Sequence, residues 1–300
     1  MSAGAAVDRR GLAVTAGTFV IWGVVPVYWH LLKTVPAIQI MAHRVLWSAV
    51  LVVGWLALRD GLGWLRRLAA QPRALGALAL SSVLIAFNWG LYIWAVNAGH
   101  VVETSLGYFI NPLLNVVLGV LVLRERLDRM QWVAVAVAAL GVLWLTFHYG
   151  SFPWIALSLA ASFGLYGLIR KLVAVDSIPG LGVESLYLAP FALAVLAWIE
   201  AHGGGGFLGA WGWRLDALLV VGGALTALPL IGFSYAVRRI PYSTIGLLQY
   251  LAPTLQLLCG VFVLGEPFGR DRAIGFACIW IALAIYAFDG WRRTRRMPAA

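Results

Sequence analysis

The sequence has few charged residues for its length of 300. Asp, Glu, Lys and Arg together make up 11% of the chain, whereas hydrophobic residues make up 62% and the mean hydropathy is +0.88. This composition lies outside the range of soluble globular domains and predicts a protein that folds in a lipid bilayer. The formal charge of +10 does not indicate nucleic-acid binding, because the arginines lie between apolar runs and form no water-facing patch.

Cysteine is almost absent from the chain. Only Cys259 and Cys278 occur, and both lie inside apolar segments. This placement argues against a disulfide framework and against a cysteine-ligated zinc site. We therefore expect no metal ion and no other cofactor, and we interpret both cysteines as small packing residues.

Long apolar runs dominate what is present. A helix needs about 20 apolar residues to cross the hydrocarbon of a bilayer, and ten stretches of the chain meet this requirement. The predicted spans are residues 11–31, 38–58, 74–97, 102–123, 131–148, 153–171, 179–200, 216–238, 243–264 and 271–289. The sequence thus predicts an all-α polytopic membrane protein with ten transmembrane helices.

The two halves of the chain resemble each other at a constant offset of 141 residues. A proline, a glycine and a glutamate recur at this offset: Pro112 and Pro253, Gly119 and Gly260, Glu125 and Glu266. We predict a duplicated unit, with the first copy at residues 1–150 and the second at 151–300. Because five spans fall in each copy, the second copy is expected to be inverted relative to the first, as in many secondary transporters.

Basic residues indicate which way the helices run. With the amino terminus in the cytoplasm, 17 Lys and Arg residues fall on the cytoplasmic side of the predicted spans. The opposite side holds four: Lys33, Arg214, Arg270 and Arg272. The positive-inside bias therefore predicts a multi-pass protein of the cell (inner) membrane with both termini in the cytoplasm.

Polar side chains inside the predicted spans are the candidate functional residues, because each costs about 2.5–3.5 kcal/mol at the bilayer centre if it is charged. Tyr108, Asn111 and Asn115 are spaced to share one helical face, and residues 249 and 256 occupy two of the matching positions in the second copy. We predict that these faces meet and line a substrate cavity. The alternative is that the amides are hydrogen bonds between helices, worth about 0.6 kcal/mol each. The complete set of predicted substrate-binding residues is His43, Arg44, Asn88, Trp89, Tyr92, Tyr108, Asn111, Asn115, Gln249, Tyr250 and Gln256.

Arg44 is the one Lys or Arg residue that is assigned to neither side of the membrane, because it lies well inside the second predicted span. It lies roughly six residues from the outer end of that span, which is about 9 Å at 1.5 Å per residue. Either it extends outward to the surface while His43 bonds a neighbouring helix, or it has a partner within the protein. By depth, the predicted partner is Glu103, and the predicted outer cluster consists of His43, Arg44, Glu103 and Tyr92.

A second ionisable cluster is predicted near the inner surface. Glu184 falls near the inner end of the seventh span, at the depth of Arg170 and Lys171 in the sixth. We therefore pair Glu184 with Arg170 or Lys171. Glu103, Glu184 and Arg170 are the predicted gating or proton-coupling residues.

Prolines inside the spans mark positions where a backbone amide donor is missing. They are Pro26, Pro112, Pro190, Pro229 and Pro253. Pro112 and Pro253 correspond under the repeat, and interrupted helices in corresponding positions are typical of transport sites. The alternative for a single such proline is a kink without function.

Three motifs resemble a known family. They are Asn88–Asn97 (NWGLYIWAVN), Ser105–Leu113 (SLGYFINPL) and His43–Ser48 (HRVLWS). They resemble the RarD branch of the EamA family in the drug/metabolite transporter superfamily. The resemblance implies ten helices in two inverted halves, a central cavity, and export of small metabolites, amino acids or drugs.

The sequence therefore favours a secondary transporter that works by alternating access on a small-molecule substrate, with proton coupling left open. The alternative is a membrane-embedded enzyme that acts on a lipid or isoprenoid substrate. Such an enzyme usually clusters carboxylates around a metal ion or pairs a histidine with a carboxylate, whereas the carboxylates here are isolated and at opposite depths. The oligomeric state is not predicted, and a monomer is compatible with the sequence.

Overall fold

The computed structural model describes residues 8–98, 100–149, 152–263, 265 and 269–296. Within these residues the secondary structure is helical and no strand occurs. The helices are α1 (Arg9–His30), α2 (Ala37–Asp60), α3 (Gly63–Ala69), α4 (Pro72–Asn97), α5 (Val101–Leu121), α6 (Arg129–Tyr149), α7 (Trp154–Leu172), α8 (Ser177–Ala201), α9 (Trp213–Val237), α10 (Tyr242–Gln249), α11 (Leu251–Phe262) and α12 (Arg270–Arg296).

Most of these helices are long and apolar enough to span a bilayer. Among the described residues nine spans meet this criterion, with α10 and α11 counted as one, and α12 adds a shorter apolar stretch, Ala273–Asp289. Large apolar side chains such as Leu58 and Phe191 are exposed on the outside of the bundle, as expected where lipid is the solvent. The prediction of an all-α polytopic membrane protein is confirmed.

Helices of one half pack mainly against helices of the other half. α1 contacts α9 and α11, whereas α7, its counterpart, contacts α4 and α5. α2 packs against α8, and α6 packs against α12. Each half thus supplies helices that complete the surroundings of the other, and the space between the halves lies at the centre of the bundle.

The bundle has two ends, which we name by the glutamate found at each. At the Glu103 end, this residue of α5 contacts Ile155 at the start of α7. At the Glu125 end, the segment after α5 contacts Tyr242 at the start of α10. Because successive spans alternate in direction, α1 begins and α12 ends at the Glu125 end.

The two corresponding prolines have different effects on their helices. α5 continues through Pro112 without interruption, whereas the predicted ninth span is divided at Tyr250 into α10 and α11. Pro253 has no amide proton to donate to the carbonyl of Gln249 four residues earlier, and the break begins directly after Gln249. Of the two corresponding prolines, Pro253 therefore accompanies an interrupted helix and Pro112 does not.

Small residues bring the two halves close together at the break. A Cβ atom on Gly246 of α10 would collide with the carbonyl oxygen of Pro112 in α5. Gly164 of α7 is also close to α5, since a Cβ atom on this glycine would lie 3.1–3.2 Å from the side chains of Leu114 and Asn115. The backbone contact between α5 and α10 places the polar face of α5 against Gln249.

Candidate functional site

A cavity lies between the two halves, toward the Glu103 end. Its volume is about 230 Å³, which suits a small organic molecule. Eight of the predicted substrate-binding residues line it: Arg44, Asn88, Trp89, Tyr92, Tyr108, Asn111, Gln249 and Gln256.

Arg44 is held in a defined position on the cavity wall. Its Nε donates to Thr226 Oγ1 at 2.9 Å, and its Nη1 lies 3.4 Å from the Met41 sulfur. The guanidinium carbon lies 4.6 Å from the ring centroid of Trp29 and 5.4 Å from that of Trp89. Cation–π contacts of this kind stabilise a partly buried cation such as Arg44 without neutralising its charge.

The predicted pairing of Arg44 with Glu103 is wrong. Glu103 is buried, and its Oε1 accepts from the backbone amide of Ile155 at 2.8 Å. It thereby satisfies a free amide in the first turn of α7, whose N-cap residue Pro153 makes no side-chain cap bond. Span arithmetic predicts the depth of a residue but not the direction in which it points around its helix, and Glu103 points toward α7.

Two aromatic and two amide residues form further parts of the cavity wall. The rings of Tyr92 and Tyr108 meet edge to face at a centroid distance of 6.0 Å. Asn88 Nδ2 donates to the Leu159 carbonyl at 2.8 Å and to Ser162 Oγ at 2.9 Å, which ties α4 to α7. Gln256 Nε2 donates to the Trp22 carbonyl at 3.0 Å.

An amide cluster forms the cavity floor and joins the two halves. Asn115 Nδ2 donates to Gln249 Oε1 at 2.6 Å and to Asn111 Oδ1 at 3.2 Å. Gln249 Nε2 donates to Asn111 Oδ1 at 3.0 Å. The predicted meeting of the two polar faces therefore occurs. Asn111 and Gln249 both bond across the two helices and line the cavity, whereas Asn115 lies beneath them.

Three predicted substrate-binding residues do not line the described cavity. His43 packs against Phe207 at a ring distance of 4.6 Å and accepts from Trp47 Nε1 at 3.3 Å. His43 is adjacent to Arg44 in sequence, so its side chain points about 100° away from that of Arg44 around the axis of α2. Asn115 is fully buried below the floor, and the Tyr250 hydroxyl donates to the Phe109 carbonyl at 3.2 Å within the core.

The second ionisable cluster lies deeper in the bundle, toward the Glu125 end. Arg170 Nε and Glu184 Oε1 are 3.7 Å apart, and both side chains are buried, with 0% and 2% of their surface exposed. This is the predicted pairing. Lys171, the alternative partner, instead donates to the carbonyls of Val237 and Ile240 at 2.8 and 2.9 Å.

A further carboxylate joins the segment after α5 to the start of α10 at the Glu125 end. Glu125 accepts from the backbone amides of Tyr242 and Ser243 at 2.6 and 2.9 Å and from the Ser243 hydroxyl at 2.7 Å. These bonds satisfy the first amides of α10, where a negative charge is favoured. In the sequence, the recurrence of Glu125 as Glu266 in the second half was the feature that could have indicated a role for this residue. Glu266 itself lies outside the described residues.

Sequence reasoning also missed several cavity residues. Trp22 and Trp29 are spaced seven apart on one face of α1, and both line the cavity, so their helical spacing was a usable signal. Thr226, which accepts from Arg44, carried no such signal because threonine is common in apolar helices. Phe163 of α7 likewise lines the cavity and is indistinguishable in sequence from a core phenylalanine.

Comparison with known proteins agrees with this architecture. The model of the EamA-like transporter family matches the chain twice, at residues 9–147 and 152–288. A solved crystal structure superposes with a TM-score of 0.70 at 18% sequence identity, covering 92% of this chain and 96% of that chain. At such low identity the likeness shows the fold alone.

Two relatives are similar over nearly their whole length. An uncharacterized transporter of Pseudomonas aeruginosa is 47% identical over 290 residues, covering 97% of both chains. Protein RarD of Escherichia coli is 43% identical over 288 residues, covering 96% of this chain and 97% of its own. The chain is a multi-pass membrane protein, and it belongs to the EamA-like transporter family as a member of the RarD type.

Proposed function

We propose that this protein is a secondary transporter that exports small carboxylated molecules from the cytoplasm by alternating access. Amino acids, carboxylated metabolites and drugs of similar chemistry are the substrate class. The observation that carries the proposal is Arg44, held between two indole rings on the wall of a cavity of about 230 Å³.

The chemistry of the cavity supports an anionic substrate. Arg44 is the one charged side chain among the described residues that line it. Within the described part of the chain, its Nε and Nη1 have protein partners, which leaves the Nη2 donors for a ligand carboxylate. The indoles of Trp29 and Trp89 and the phenol rings of Tyr92 and Tyr108 offer apolar area for the body of the molecule.

The position of the cavity supports alternating access. Most of its lining comes from the halves of α1, α2, α4, α5 and α7 nearer the Glu103 end, which the positive-inside bias assigns to the exterior. α9, α10 and α11 contribute residues near the middle of the bundle. At the opposite end, Glu125 and the Arg170–Glu184 pair bind the helices together. We infer an outward-open conformation in a cell membrane, with both termini in the cytoplasm.

The repeat suggests how the protein reaches the inward-open conformation. We propose two inverted copies, residues 1–150 and 151–300, that exchange their packing when the protein opens to the other side. The two ranges matched by the family model and the reciprocal contacts of α1 and α7 with the opposite half support this proposal.

A ligand-binding experiment tests the role of Arg44. Purified protein is melted with N-acetyl-L-phenylalanine or with its neutral amide, which differ only in the carboxylate. We expect the acid alone to raise the melting temperature, by mass action on the native state. Arg44→Gln should abolish this rise, whereas Arg214→Gln, at an exposed position, should keep it. Equal responses of Arg44→Gln and the unmodified protein would contradict the proposal.

Transport is tested by counterflow in proteoliposomes with labelled N-acetyl-L-phenylalanine. Exchange of the unaltered compound supports a carrier. Chemical conversion of the compound, or turnover of lipid by the purified protein, would support the membrane-embedded enzyme instead.

A further inference from the structure

A small chamber lies next to the substrate cavity, on the side toward the Glu125 end. Its volume is about 20 Å³, which is room for one water molecule. Glu184 and Ser48 contribute to its wall, and Trp89, Thr226 and Leu230 belong to both the chamber and the cavity. A buried carboxylate is thus separated from the cavity by a single layer of side chains.

The hydrogen bonds of Glu184 suit both of its protonation states. Ser81 Oγ lies 2.5 Å from Glu184 Oε1 and 2.9 Å from the Leu78 carbonyl oxygen. The serine hydroxyl has one proton. When Glu184 is ionised, the serine hydroxyl donates to the carboxylate. When Glu184 is protonated, the serine hydroxyl donates to the Leu78 carbonyl and accepts from the carboxyl group. No heavy atom has to move between these two states.

Arg170 lies near Glu184 without holding it by a hydrogen bond. The Nε–Oε1 distance is 3.7 Å, and the guanidinium donates instead to Ser234 Oγ at 3.1 Å and to the Ser177 carbonyl at 3.2 Å. A carboxylate with such a partner can accept a proton more readily than one in a bidentate pair.

The groups around Glu184 come from four helices. α7 contributes Arg170 and the Tyr166 hydroxyl at 3.4 Å, and α4 contributes Ser81. α2 and α9 contribute neutral chamber residues, including Ser48 and Thr226. Within the described part of the chain, Arg170 is the one charged group that forms an ion pair with Glu184.

We propose that Glu184 is the proton-binding site of the transporter, which rests on the proposed function and names its coupling ion. A hydronium ion in the chamber transfers one proton to Glu184, so that the carboxylate becomes a carboxylic acid and a neutral water molecule remains. Protonation removes the attraction between Arg170 and Glu184 and leaves a buried cation without its counter-charge, which favours separation of α7 from α8. The Glu125 end then opens, and the proton is released to that side.

Thr226 links proton and substrate. Its hydroxyl accepts from Arg44 Nε at 2.9 Å, and its side chain forms part of the chamber wall. A substrate carboxylate that binds Arg44 can therefore displace Thr226, which is part of the chamber wall between the cavity and Glu184. This arrangement supports exchange of one proton against one substrate molecule.

Infrared difference spectroscopy of the purified full-length protein, titrated with acid in the absence of substrate, tests the proton site directly. We expect a carbonyl band of a protonated buried carboxyl group, lost in Glu184→Gln and kept in Glu200→Gln, an exposed position on the same helix. Ser81→Ala should shift the frequency of this band, because it removes a hydrogen-bond partner. A band unchanged in Glu184→Gln or in Ser81→Ala would overturn the proposal.

Flux measurements separate this proposal from the proposed function. In proteoliposomes, a pH gradient should accelerate efflux of N-acetyl-L-phenylalanine at least tenfold in the unmodified protein and in Glu200→Gln, and not in Glu184→Gln. If Glu184 binds a proton but no counterflow occurs in any variant, the carrier function fails and the proton site stands. If counterflow occurs and the gradient acts equally on Glu184→Gln, the proton site fails alone.

Discussion

Arg44 is restrained on three sides before any ligand binds. Trp29 and Trp89 cover its guanidinium, and the bond to Thr226 sets its rotation. A cation that is already positioned loses little conformational freedom when a carboxylate binds, and such preorganisation raises affinity. Under the proposed function, the two indoles therefore contribute to ligand recognition as well as to stability.

Thr226→Val tests this restraint by removing only the hydroxyl oxygen that accepts from Arg44. The variant keeps the shape of the side chain but removes the acceptor for Arg44 Nε. Hydrogen bonds to charged groups contribute about 1.5–3 kcal/mol, so we expect the affinity for N-acetyl-L-phenylalanine to fall roughly tenfold or more. Calorimetric titration of the purified protein measures the change.

Thr146→Val is the matched control, because its hydroxyl also bonds the carbonyl four residues earlier, at 2.8 Å, as that of Thr226 does. It lies in α6, away from the cavity, and should leave the affinity unchanged. Equal affinity in Thr226→Val and the unmodified protein would show that the Arg44–Thr226 bond does not position the guanidinium.

The positions of single cavity residues were predictable where the residue type is rare in an apolar span or where residues recur at helical spacing. An arginine within an apolar span is conspicuous, and the shared face of Tyr108 and Asn111 follows from helical periodicity. The partner of Arg44 was not predictable, because depth along a helix does not determine the direction of a side chain. Thr226 is the acceptor only because α2 and α9 pack closely, which no local pattern records.

At the scale of elements, the break between α10 and α11 is the clearest departure from regular helix. Its position follows from Pro253, which leaves the Gln249 carbonyl without its usual donor. The side chain of the same Gln249 joins the amide cluster on the cavity floor. The break therefore lies where the halves meet, which suits a hinge between conformations.

Pro253→Ala restores the missing amide donor. A proline costs roughly 3 kcal/mol in a helix interior, so we expect α10 and α11 to become one continuous helix. Backbone amides just after Tyr250 should then exchange hydrogen at least roughly tenfold more slowly, which corresponds to about 1.4 kcal/mol. Mass spectrometry after hydrogen–deuterium exchange measures this directly.

The control for this element is Pro112→Ala, at the corresponding position of the continuous helix α5. It should change exchange much less, because no break exists there to be repaired. Similar exchange in both variants would mean that the division at Tyr250 has a cause other than Pro253.

The helices themselves were largely predictable. The first span, predicted at residues 11–31, is observed as Arg9–His30, and the seventh, predicted at 179–200, is observed as Ser177–Ala201. Apolar length alone determines such elements in a bilayer. The difference between α5 and the α10–α11 pair was not predictable, since both sequences carry a proline at the same place and only packing distinguishes them.

At the scale of the whole molecule, the two ends of the bundle differ in what holds them together. Glu125 and Lys171 bond the backbone ends of helices at one end, whereas the cavity lies toward the other. In an alternating-access cycle the closed end must come apart, so these charged contacts to backbone atoms are the ones that have to be exchanged.

The proposed topology makes a definite prediction about sidedness. Lys33 lies between α1 and α2, Arg126 lies between α5 and α6, and both side chains are exposed. In a background with both native cysteines replaced by serine, a membrane-impermeant maleimide should label Lys33→Cys in intact cells. It should label Arg126→Cys only after the cells are permeabilised, because the excess of basic residues retains that loop in the cytoplasm. Labelling of both positions from outside would place both loops on one face and contradict the alternation of spans in the first half, from which the inversion of the second half is inferred.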